Sequence, residues 1–137
     1  MKTRRKFIVF IWVLKMLTPN YEDITIIQGA DVAIEIHLIN DSDSAYDLTN
    51  RAVTSKMKRN YTDSAGDPDT VSFNAAIISP ASQGIVNLSL TNIQTDALKT
   101  RGRYVYDVEI SYVDSDSNTI IQRVLEGQAE VSPSVTK

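Results

Sequence analysis

The chain has no cysteine, one histidine, one tryptophan, five glycines and four prolines among its 137 residues. Without cysteine there is no disulfide, thiolate metal ligand or sulfur nucleophile, and the disulfide-stapled secreted class is excluded. The single histidine, His37, falls on the polar side of an alternating segment with no evident partner. An imidazole so placed is ordinarily solvated surface rather than a general base. The few glycines form no G-x-S-x-G, P-loop or G-x-G-x-x-G pattern, so neither a nucleophile elbow nor a phosphate cradle is visible. Long apolar runs are also missing. The longest, Phe7 to Leu14, has eight residues, far short of the roughly 20 that span a bilayer as a helix.

What is there fits one soluble domain, with 42% hydrophobic and 23% charged residues. The net charge of −3 hides an asymmetry. Five of the fourteen basic residues lie within residues 1–15, which hold no acid, leaving nine bases against seventeen acids, a net −8, over residues 16–137. An acidic body is poorly suited to neutralising phosphates, which argues against a nucleic-acid partner.

From Asp23 onward apolar residues recur with period two and not with helical spacing. Val32, Ile34, Ile36 and Leu38 share one parity in "DVAIEIHLI", and Val71, Phe73, Ala75 and Ile77 do so in "TVSFNAAII". The same holds for Val86, Leu88 and Leu90 in "GIVNLSL", and for Tyr104, Tyr106, Val108, Ile110 and Tyr112 in "RYVYDVEISYV". Weaker strand candidates are residues 24–27, 52–58, 119–126 and 129–132. Turn-rich clusters such as "NDSDSAYD", "SPASQG" and "DSDSN" separate them. The pattern predicts an all-β, immunoglobulin-like antiparallel β-sandwich of seven to eight strands, with an N-terminal apolar extension. The domain limits are 1–22 for the basic and apolar extension and 23–137 for the sandwich.

Only "TNIQTDALKT" breaks the alternation, and it predicts a helical turn over residues 95–98, capped by Thr95 and ended by Gly102. Such a turn followed by Gly102 and Tyr104 suggests a corner in which a tyrosine hydroxyl ties back to the backbone. Tyr104 is the candidate for that corner. Tyr106 stands where antibody domains carry their second cysteine, and with Phe73 it can fill the space left by the missing disulfide. The competing reading makes both tyrosines plain core or interface aromatics.

Asp41, Asp43 and Asp47, and Asp114 with Asp116, supply hard oxygen ligands, but the first loop lacks the glycine and distal glutamate of an EF-hand. Turn formation accounts for them, and no metal or other cofactor is expected. The basic clusters "KMKR" (56–59) and "KTRGR" (99–103) read as solvated strand ends or sheet-edge protection, with a partner contact as the alternative.

The N-terminus, "MKTRRKFIVFIWVLKM", admits three readings. It has the basic and apolar regions of a secretory signal, but Lys15 follows and no small-x-small cleavage site appears before Tyr21. Met16 can instead be the true start. In the third reading the run is an arm buried on a neighbouring subunit, with Phe7, Phe10, Trp12 and Leu14 as assembly-interface residues.

Over residues 23–136 the motifs follow a particular order: "ITIIQGADVAIEIHL", "YDLTN", "GIVNLSLT", a Thr-x-x-Leu turn, "GRYVYDVEI" and "VLEGQAEVSPSVT". This order resembles the small β-sandwich of tailed-phage baseplate and tail proteins, and is similar to the N-terminal domain of the baseplate upper protein family. The basic and apolar N-terminus departs from that pattern, as does the end of the chain just after the sandwich. The resemblance implies a non-enzymatic attachment module located in the virion. Its partners are then other virion structural proteins, in homo- or hetero-oligomeric contact, with neither nucleic acid nor membrane. The rival reading is an exported adhesin-like binding module with residues 1–15 as its signal.

Overall fold

The computed structural model describes residues 20–40 and 42–136, and the backbone of residues 6–13. Ten strands form two sheets: β1 (Lys6–Val13), β2 (Asn20–Tyr21), β3 (Ile24–Ile27), β4 (Asp31–Leu38), β5 (Ala52–Lys58), β6 (Val71–Ser72), β7 (Asn74–Ile77), β8 (Ile85–Leu90), β9 (Tyr104–Val113) and β10 (Thr119–Ser132). Sheet one has the order β1-β4-β8-β7; sheet two has the order β2-β10-β9-β5-β6, with β3 also on β10.

The alternating segments make the sandwich for the reason their pattern gives: in a strand, every second side chain points to the same face. Ile34, Ile36, Leu88 and Leu90 of sheet one pack with Met57, Tyr104, Tyr106, Val108, Ile110 and Leu125 of sheet two in one buried cluster. Full burial of each such side chain stabilises the fold by about 1.5–3 kcal/mol.

The all-β sandwich of two sheets is as expected, but it mixes parallel with antiparallel pairs and has more strands than the seven to eight expected. Three pairings are parallel: β1 with β4, and β2 and β3 with β10. The chain enters sheet two by laying β2 and β3 in succession along β10, and neither has a hairpin partner to reverse it. The described residues hold ten strands, because the pattern does not separate short pieces. "TVSFNAAII" in particular divides in two. Val71–Ser72 pairs with β5 in sheet two, and Asn74–Ile77 pairs with β8 in sheet one. Phe73, buried between them, still donates its N–H to the Ser55 carbonyl at 3.0 Å. The segment therefore changes sheet at the sandwich edge.

The helical turn lies earlier than the sequence suggested. Helix α1 is Asn92–Asp96, capped by Thr91, whose hydroxyl accepts from Gln94 N–H while the Gln94 side chain accepts from Thr91 N–H. This reciprocal pair satisfies two otherwise orphaned donors. Thr95 is fully buried instead. Its hydroxyl donates to the Ala30 carbonyl at 2.8 Å and accepts from Gly29 N–H at 3.1 Å, which locks α1 onto the β3–β4 turn.

Candidate assembly surface

Strands β5, β9 and β10 turn their polar parity outward and form a charged face on sheet two. Lys56 and Lys58 stand on β5, Asp107 and Glu109 on β9, and Arg123 and Glu126 on β10; all line a groove of about 430 Å³. A bulge at Val124 makes this possible. The β9–β10 register jumps between Arg123 and Leu125, so that Arg123 opposes Glu109 while Leu125 opposes Val108. One extra residue reverses the facing of everything before it along the strand. Without it Arg123 would point into the core.

The Arg123 guanidinium meets three carboxylates: Asp107 at 3.3 Å, Glu126 at 3.3 Å and Glu109 at 4.0 Å. Partial burial, and then the Glu109 charge, push the Asp107 carboxyl above its ordinary range, while Arg123 and Lys58 pull the other way. The two ends of this sheet face differ. At the β9–β10 hairpin Val113 and Ile121 are 65% and 61% exposed, whereas at the opposite end Tyr61 is 72% exposed.

The two basic clusters stand at strand ends: residues 56–59 close β5, and residues 99–103, largely exposed, precede β9. Strand β5 lies between β9 and β6, and Lys56 pairs in register with Asp107 on one side and Ser72 on the other. Arg59 places its guanidinium 4.9 Å from the centre of the Tyr104 ring and donates to the Arg101 carbonyl, which joins the clusters at one end of the sandwich.

Tyr104 and Tyr106 are both buried. The Tyr104 hydroxyl accepts the Lys99 N–H at 3.0 Å, joining the start of β9 to the loop after α1. Tyr106 meets Phe73 edge-on, with ring centres 6.5 Å apart. The strand β1 carries Phe7, Phe10 and Trp12 in register with Val32, Glu35 and His37 of the chain's own β4; Leu14 lies outside the described residues.

His37 has a partner that the sequence reading missed: its Nε2 lies 2.8 Å from Glu35 Oε1, two residues away on the same strand face. The aspartate loops use their oxygens in turns. Asp47 accepts from the Thr49 N–H and hydroxyl, and Asp114 accepts from the Asp116 and Asn118 N–H groups. Asp41 lies outside the described residues. Among the described residues no three acidic or histidine side chains are grouped to hold a metal.

No family model matches this chain, and no curated protein does. Among solved structures, the N-terminal domain of phage TP901-1 ORF48 is similar, with a TM-score of 0.57, 12% identity, and coverage of 91% of this chain and 98% of that one. The fold is similar to a phage domain's. The resemblance to a tailed-phage β-sandwich drawn from the sequence therefore extends to the three-dimensional arrangement. At this identity it concerns architecture, because almost none of the side chains on the charged face need be shared.

Proposed function

We propose that the protein is a non-enzymatic structural component of a tailed-phage virion, at the tail, baseplate or neck, acting through contacts with other virion proteins. The observation that carries this reading is the fold match to a phage protein's domain over nearly the whole of both chains. The polar groups support it. The candidate ligands Asp47 and Asp114 hold turns, and His37 is engaged with Glu35. The side chains left facing outward in quantity line the charged groove of sheet two, which suits a protein–protein contact.

Mass spectrometry of purified particles tests the proposal. Peptides from residues 51–123 should be recovered from the particle in fixed ratio to the tail proteins. Their absence there, with recovery from host culture supernatant, would replace this reading with an exported binder.

A further inference from the structure

The end of the sandwich where β5 finishes and β9 begins gathers cations from two distant parts of the chain. Pairing of the two strands, with Lys58 opposite Val105, sets residues 56–59 beside residues 99–103. Arg59 joins them by donating to the Arg101 carbonyl. Gly102, at a φ of +73°, lets the chain turn closely around that guanidinium; a Cβ there would stand 2.8 Å from Arg59 Nη2. Arg101 and Arg103, on either side of the glycine, are exposed.

Most other described cations have a partner. Arg51 lies 3.7 Å from the centre of the Tyr112 ring, Lys99 pairs with Asp69 at 2.9 Å, and Arg123 lies among three carboxylates. Lys56 stands in register with Asp107, and Lys58 is near enough to act on the ionisation of that carboxyl. Arg103 donates to Gln128 and not to Glu130, two residues along the same strand. Among the described residues Lys58, Arg59, Arg101 and Arg103 form no ion pair. Four such cations share one end of a body whose residues 16–137 carry a net −8. Two tyrosines border them. Tyr21 and Tyr61 are both more than half exposed, and Tyr21 is near enough to Tyr61 and Arg103 for both to act on its hydroxyl. Exposed tyrosine beside arginine is the side-chain chemistry of interface hot spots.

We propose that this end docks a carboxylate-rich segment of a neighbouring protein. Arg101 and Arg103 offer planar forks that match carboxylates, and the tyrosine rings cover the apolar parts of the segment. Nucleic acid is the poorer fit. Asp107 and Glu126 flank the patch in the groove, and Asp63 and Asp67, which hold turns of the 59–70 loop, flank it on the other side. A continuous phosphate backbone would meet these like charges on leaving the patch, whereas a short acidic segment ends within it.

The inference rests on the assembly reading for the origin of the segment, and it deepens that reading by naming the partner's chemistry. Its test is read on the purified full chain, so either can fail without the other. An isotope-labelled sample is titrated with a short end-blocked peptide of alternating glutamate and alanine. Amide shifts of residues 58–61 and 101–103 should move first, and salt should weaken the binding. Arg101→Glu with Arg103→Glu, and separately Lys58→Glu, should each bind the peptide about tenfold more weakly or worse while keeping the parent's circular dichroism. An oligothymidylate of equal charge should bind less tightly than the peptide. Shifts absent from this end, either variant binding like the parent, or tighter binding of the oligothymidylate would each overturn the proposal.

Discussion

The Tyr106 hydroxyl donates to the Glu22 carbonyl at 2.5 Å, across 84 residues of sequence. This bond pins the joint between β2 and β3 against the centre of sheet two. Tyr106→Phe keeps the ring and its contact with Phe73 but removes the donor. A net loss of about 0.5–1.5 kcal/mol is expected in urea unfolding. The pH response should change as well. Burial raises the Tyr106 ionisation above its ordinary value of 10.0, so the hydroxyl's contribution is complete below pH 10 and is lost as pH rises beyond it. The phenylalanine variant should show a shallower alkaline loss of stability than the parent. Parallel curves would show that Tyr106 ionises as it does in the unfolded chain.

Gly127 makes that joint possible from below. A Cβ there would stand 2.0 Å from the Glu22 carbonyl oxygen, which is backbone and cannot swing aside. Gly127→Ala should therefore cost about 1–3 kcal/mol, as overpacking does. Thermal melting is the check, and an unchanged Tm would mean that the β2–β3 joint does not lie over β10 as described.

Tyr104→Phe tests the corner. Its hydroxyl accepts the Lys99 N–H, and its ring carries the Arg59 guanidinium. Only the first of these is lost in the variant, so a reduction of about 0.5–1.5 kcal/mol is expected. Hydrogen exchange should show the Lys99 amide losing protection more than its neighbours. Equal melting and unchanged exchange would contradict the corner.

Asp107→Asn addresses the charged groove. The raised carboxyl range of Asp107 means that the folded state disfavours its charge. Its contribution to stability is full below the unfolded-state value of about 3.9 and is lost as pH rises through the folded value. A neutral amide removes this loss, so the variant should melt no lower than the parent at pH 7. It should also gain less on acidification from pH 6 to 4. A sharply lower Tm at neutral pH would mean that the contact with Arg123 outweighs the burial.

Removing residues 1–15 deletes β1 and leaves β4 with β8 as its one remaining neighbour in the sheet. Among the described residues the buried cluster between the sheets spans residues 24–131, and the strand signal in circular dichroism should persist. The freed β4 edge is a template for pairing with other chains, and light scattering should show more self-association than in the parent. Loss of the folded signal would make β1 an integral part of the sandwich.

The outward face shows where reading from sequence stopped. Asp107 and Glu109 were visible as the polar parity of β9, since alternation is a local property. Arg123 was not, because its facing depends on a bulge at Val124 that appears only when β10 is laid against β9. His37 was read as unpartnered although Glu35 shares its parity two residues away. That signal was present in the alternation itself.

The sequence by itself determined the two-layer β architecture, most strand positions and the inward face of each main strand. All of these follow from period-two burial and turn chemistry, which act between near neighbours. Tertiary structure alone decided the partners. The parallel placement of β2 and β3 on β10, the change of sheet at Phe73 and the burial of Thr95 against the β3–β4 turn each depend on atoms tens of residues apart. A strand's own residues state which face is apolar. Which edge it joins, and in which direction, is fixed only when backbone donors and acceptors from distant segments must all be satisfied together.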